Sequence, residues 1–126
     1  MSFPIDEPNG PARTRLNHEN LDVYRLALEF LVFSESLLAQ LPAGRSSVAD
    51  QLRRAALSIP LNIAEGYGKR GRKDRGRFYD IARGSAHECS AILDAWIILR
   101  LGEERTLGPG RTLLHRIVCM LVKMTA

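Results

Sequence analysis

Apolar residues recur every three or four positions from Leu21 to Val122, and nowhere do they alternate with period two over a strand's length. Helices are therefore the only regular element this chain can build, and its breakers divide them into four. The first opens near Asn20, which suits an N-cap, with Asp22 placed where an acid favours the helix dipole. Leu21, Tyr24, Leu28, Leu31, Leu38 and Leu41 form one stripe, and Val23, Leu26, Phe30, Phe33 and Leu37 a second. A surface helix of a monomer needs one apolar face. Two stripes imply that this helix packs inside its bundle and also against another subunit. Pro42 and Gly44 end it.

The second helix is expected to open at Ser47, with Asp50 completing a capping-box arrangement. Val48, Leu52, Ala55, Ala56, Ile59, Ile63 and Ala64 give its apolar side, and Gly66 and Gly68 end it. Pro60 falls inside this period, which predicts a kink between Leu57 and Pro60 in a helix that continues. The third helix begins near Lys73 and carries Phe78, Ile81, Ala82, Ser85, Cys89, Ile92, Trp96 and Leu99 at helical spacing, ending at Gly102. Gly84 lies at its middle, where glycine costs about 1 kcal/mol against alanine. A closely approaching neighbour would compensate. Thr106 to Arg111 reads as a turn, with Pro109 opening a fourth helix whose core face is Leu113, Leu114, Ile117, Val118, Leu121 and Val122. Four helices with short connections predict an all-α, antiparallel up-and-down four-helix bundle over residues 20–126. Residues 1–19, broken by Pro4, Pro8, Gly10 and Pro11, read as a flexible N-terminal tail.

Several function classes find no support in this pattern. No apolar run approaches the roughly 20 residues of a membrane span, and Met1 to Gly10 does not read as a secretory signal. Cys89 and Cys119 sit among apolar residues, as expected for free thiols in a reduced, cytoplasmic setting. The Glu-x-x-His pairs of metal-bearing bundles are missing; His115 and Cys119 could share a helix face, but His87 and Cys89 could not. There is no Gly-x-Ser-x-Gly elbow and no Walker-type phosphate loop. The expectation is a non-enzymatic protein without cofactor or metal.

Charge carries the positive signal. The formal net is +4, but residues 45–83 hold 10 basic and 4 acidic side chains. Lys69, Arg70, Arg72, Lys73, Arg75 and Arg77 crowd the connection between the second and third helices, and Arg53 and Arg54 precede them on the second helix. Guanidinium groups bind phosphate bidentately, so these eight residues are candidate nucleic-acid contacts. Tyr67 and Tyr79 flank the run and could stack on unpaired bases. The alternative is an oligomeric protein-interaction scaffold whose basic stretch is only a solvated face. A polar row, Gln51, Arg54, Ser58, Asn62 and Glu65, recurs along the second helix. If buried, it would fix helix register, with Ser58 and Asn62 bonding across helices.

The segment QLRRAALSIPLNIAEG, Gln51 to Gly66, resembles the signature of a bacterial four-helix-bundle family. Its members are encoded in intervening sequences of large-subunit ribosomal RNA genes or as stand-alone genes. Leu21-Asp22-Val23-Tyr24 with Ala27, and the Arg77-Phe78, Ile81-Ala82, Gly84-Ser85 and Glu88 elements, resemble the family as well. The resemblance covers about residues 19 to 101. It implies an antiparallel four-helix bundle with no established enzymatic activity. The family is similar to the accessory protein of diversity-generating retroelements. By that resemblance the chain is expected to form a homo-oligomer, with a pentamer favoured, and to have nucleic acid and a reverse transcriptase as partners. Two departures stand out: Arg75-Gly76 where an aromatic residue is usual at the first position, and Cys89-Ser90 in place of Leu-Glu.

Overall fold

A computed structural model describes residues 14–125. Four helices, α1 (Asp22–Leu38), α2 (Ser46–Tyr67), α3 (Arg72–Ile98) and α4 (Glu104–Met124), follow a short 3₁₀ turn, Asn17–Asn20. No strand occurs among the described residues. Each helix packs on its sequence neighbours and α1 closes against α4, with α2 and α3 in the most extensive contact. Late α2 meets early α3 where Gly66 faces Tyr79, and mid-α2 meets mid-α3 where Ser58 bonds Ser85. Asp94, late in α3, pairs with Arg111, early in α4. Gly110 lies against Phe33, and Leu21 lies beside Met124. Neighbouring helices thus run in opposite directions around one core of Phe30, Leu52, Ile59, Ile63, Leu93, Trp96, Leu107, Ile117 and Leu121, all fully buried.

The surplus apolar surface foreseen on α1 is largely covered within the chain. Val23, Leu26, Ala27, Phe30, Leu37 and Leu38 are buried, and Leu21, Tyr24, Leu31, Phe33 and Leu41 pack on their edges. α1 contacts both α2 and α4; the stripe of Val23, Leu26, Phe30 and Leu37 is buried, whereas Leu21, Tyr24, Leu28 and Leu31 stay half-buried. The large apolar residues left exposed lie mainly on other elements.

Three helix starts differ from the sequence expectations. α1 starts at Asp22 with Leu21 as its N-cap, because Asn20 is taken into the preceding 3₁₀ turn. That turn packs on α1 and α2, so residues 17–19 of the segment read as a tail belong to the bundle; residues 1–13 lie outside the described residues. α2 starts at Ser46 behind Arg45, and no side chain caps it, so Ser47 with Asp50 is not a capping box but part of the first turn. α2 is continuous through the buried Pro60. α4 starts at Glu104, not Pro109: Arg111 reaches back to Glu104 and across to Asp94 at 2.9 Å, holding this turn in helix. Pro109 is accommodated in the second turn, where its fixed φ suits a helix and one backbone bond is forgone.

α3 ends in a Schellman arrangement. Leu101 N–H donates to Trp96 O at 2.9 Å and Arg100 N–H to Ile97 O at 3.0 Å, with Arg100 at φ 58° in the position glycine usually fills. Gly84, in contrast, has no neighbour that a Cβ would touch, so close packing is not its reason. Neighbours do require two other glycines: Gly110, where a Cβ would overlap the Phe33 ring, and Gly66, where it would stand 2.9 Å from Tyr79 Cε1 and 3.0 Å from Phe78 Cβ.

Two glycine substitutions should therefore diverge in sign. Gly84→Ala is expected to raise unfolding free energy by up to about 1 kcal/mol. Gly66→Ala should lower it by roughly 1–3 kcal/mol through overpacking. Urea denaturation of both variants checks this.

Candidate nucleic-acid interface

The α2–α3 connection is four residues, Gly68 to Gly71, at one end of the bundle. Gly68 caps α2, and the amide of Lys69 donates to Gly66 O at 3.1 Å. Arg75 fastens the turn: its Nε donates to Lys69 O at 2.6 Å and its guanidinium carbon stands 5.2 Å from the Tyr67 ring centroid. Lys69 Nζ lies 5.2 Å, and the Arg77 guanidinium 5.5 Å, from the centroid of Phe78. Three cations of the candidate set are thus held on aromatic faces. An aromatic face positions a cation without neutralising it, unlike a carboxylate.

Carboxylates do intrude. Arg77 pairs with Asp74 at 3.8 Å and Arg83 with Asp80 at 3.7 Å, one helical step apart and well exposed. Such pairs hold little energy and yield readily to a competing anion. Arg70 and Lys73 are exposed and have no ion-pair partner among the described residues.

Two shallow depressions meet here. One, of about 450 Å³, is lined by Arg70, Arg72 and Arg75 with Tyr67, Tyr79, Leu21 and Met124. The other, of about 660 Å³, runs over Arg72, Lys73, Gly76 and Arg77 and includes Asp74 and Asp80. The α3 N-terminus opens between them and adds its partial positive charge.

The structure gathers Lys69, Arg70, Arg72, Lys73, Arg75 and Arg77 at this end and separates Arg53 and Arg54 from them. Arg54 precedes Tyr67 by 13 residues, roughly 20 Å along α2. Arg53 pairs with Asp50 at 3.6 Å. Arg54 lines a groove of about 290 Å³ between α2 and α3, with Gln51, Ser58, Ser85 and Glu88. Tyr79 is corrected too: it is 4% exposed, so its ring is core and cannot stack on a base. Burial raises its pKa, opposed by the charge of Arg75. The spacing Tyr79, Ala82, Ala86, Cys89, Leu93, Trp96 is the buried face of α3 and was available in the sequence.

Within the polar row, Ser58 is the member that crosses between helices. Ser85 Oγ donates to Ser58 Oγ at 2.8 Å. Asn62 instead turns back along its own helix, donating from Nδ2 to Ser58 O at 2.8 Å and Ser58 Oγ at 2.9 Å. One turn of helix separates Asn62 from Ser58, so the preceding carbonyl is within its reach. Gln51 and Glu65 are exposed.

No three His, Cys, Asp or Glu side chains converge as metal ligands among the described residues. Cys119 Sγ lies 3.8 Å from His115 Nε2, and both are exposed. Cys89 is buried, and burial, with the nearby Glu88 charge, pushes its thiol up to about 12. No helix is long and apolar enough to cross a membrane among the described residues.

A sequence profile described as 23S rRNA-intervening sequence protein matches residues 19–123. No curated protein matches the chain. Among solved structures, the chain is similar to a protein of unknown function from the S23 ribosomal protein family of Bacteroides thetaiotaomicron. The TM-score is 0.75 at 23% identity, covering 82% of this chain and 97% of that one. At that identity the likeness speaks for the fold.

The thiols give a test of this packing. At pH 8 an alkylating reagent should modify Cys119 and spare Cys89 until the chain unfolds, as read by peptide mass spectrometry. Because Cys89 keeps its proton in the folded state and loses it near 9 when unfolded, its contribution to stability should fall as pH rises above about 9.

Proposed function

We propose that this chain, which belongs to the 23S rRNA-intervening sequence protein family, is a non-catalytic, self-associating bundle that binds nucleic acid at its α2–α3 end. The observation that carries the reading is the way the basic residues are held. Lys69 and Arg75 rest on Phe78 and Tyr67 with no carboxylate partner among the described residues, beside Arg70 and Lys73, while Arg77 shares the Phe78 ring and an exposed pair with Asp74. Cations fixed in place lose less freedom when a phosphate arrives, so binding is favoured over a solvated coil of the same charge. The contacts are to phosphates, which confer affinity without reading base identity.

Self-association is supported by apolar surface on the outer side of the α2–α3 pair. Leu57 and Leu61 of α2 are 46% and 58% exposed, and Ile81 of α3 is 47% exposed. Several basic ends on one assembly would act together, since later contacts form at high effective concentration. The pentamer implied by family resemblance is the favoured assembly. The same apolar surface serves the alternative reading, a protein-interaction scaffold.

Affinity for duplex DNA should fall with salt at a log–log slope near −0.9 per phosphate engaged. The triple variant Arg70→Gln, Lys73→Gln, Arg77→Gln should reduce both affinity and slope while melting with the parent protein. An unchanged slope would move the site elsewhere, and no binding by the parent at about 50 mM salt would favour the scaffold.

Light scattering should give a multiple of 14.1 kDa for the parent and a smaller mass for Leu61→Glu. A parent mass equal to one chain at micromolar concentration contradicts self-association.

A further inference from the structure

The two depressions at the basic end differ in chemistry. The larger includes Asp74 and Asp80 and is open and polar. The smaller has no acidic lining: three arginines rim a bed made by Tyr67, Leu21 and Met124. A phosphate backbone alone would use the arginines and leave that bed in water. A ligand that fits both halves carries an anion next to a flat apolar body.

From this we infer that the smaller depression is a pocket for one unpaired nucleotide, its phosphate on Arg70, Arg72 and Arg75 and its base against Tyr67 and Met124. The inference rests on the nucleic-acid reading above and narrows it to unpaired strands. The Arg75 guanidinium lies over the Tyr67 ring, and bases stack on guanidinium planes as they do on rings. Only the Nε of Arg75 is bonded to Lys69 O, which leaves its terminal amino groups for an anion. The volume falls within the roughly 300–1,000 Å³ of small-ligand sites. A base inside a duplex is covered on both faces and cannot enter. Duplex DNA can reach only the outward cations, so single strands gain contacts that duplexes do not.

The same chemistry is offered by a free nucleotide and by a nucleotide within a strand, and a competition arm separates them. Fluorescence anisotropy of the full chain would compare a single-stranded oligonucleotide, its duplex, and displacement by adenosine monophosphate. The single strand should bind at least several-fold more tightly than the duplex. Tyr67→Ala should weaken the single strand about tenfold, in keeping with loss of one stacked base, and leave the duplex within twofold. Tyr67 also braces Arg75, so Met124→Glu provides a second variant. Met124 is 36% exposed, and an acid there repels the ligand without entering the core. It too should weaken the single strand selectively. Displacement by millimolar adenosine monophosphate would show that a lone nucleotide suffices, and its failure to displace a bound strand would show that neighbouring phosphates are required; both leave the pocket in place. Equal affinity for single strand and duplex, or equal losses on both in the two variants, overturns the pocket while phosphate binding stands. Binding to neither overturns both readings.

Discussion

With no side chain at Gly66, the Tyr79 ring and the first carbon of Phe78 come within about 3 Å of where a Cβ would stand, and α2 and α3 close on each other. Much of the basic end follows from this contact. It buries Tyr79, which fixes the rotation of α3 about its axis. That rotation turns the neighbouring Phe78 outward, half-buried, to receive Lys69 and Arg77. It also leaves room for only a four-residue connection, which Arg75 then ties to the Lys69 carbonyl. Two helical turns further along, the Ser85–Ser58 bond sets the same pair in register, with Asn62 completing the hydrogen bonding of Ser58. A polar bond that can form in only one register selects a geometry more than it adds stability.

The helices themselves were legible because a three-to-four residue period leaves one reading, but on α3 the stripe of Phe78, Ile81, Ser85, Ile92 and Leu99 lies beside the buried face, which is Tyr79, Ala82, Ala86, Cys89, Leu93 and Trp96. Their ends were less so. A serine before an apolar period looks the same whether it caps a helix or lies in its first turn, and Ser47 lies in the turn. Pro109 suits the first helical position and an early interior one alike; the deciding contact, Arg111 with Asp94 and Glu104, spans elements and has no local signature. Glycines were misjudged for a similar reason. Gly84 and Gly66 carry equal weight in a sequence, but whether a neighbour occupies the space above each is a matter of packing. The apolar excess of α1 was real: packing between α2 and α4 buries Val23, Leu26, Phe30 and Leu37 and leaves Leu21, Tyr24, Leu28 and Leu31 half-buried.

The candidate site was legible as a cluster and not as a shape. Six of the eight basic residues sit together because a short connection keeps neighbours in sequence near in space. Arg53 and Arg54 fail that test, since helix rise carries them up α2. What no charge count could show is how the cations are held. The Arg77–Asp74 pair offsets one charge, whereas Phe78 and Tyr67 hold Lys69 and Arg75 without offsetting theirs.

The most direct test of the central claim is hydrogen–deuterium exchange of the full chain with and without a single-stranded oligonucleotide. The account predicts slowed exchange at the amides from Gly68 to Arg75, with little change around Leu57 and Leu61. Unaltered exchange across the α2–α3 connection, with protection appearing elsewhere under saturating oligonucleotide, would contradict it.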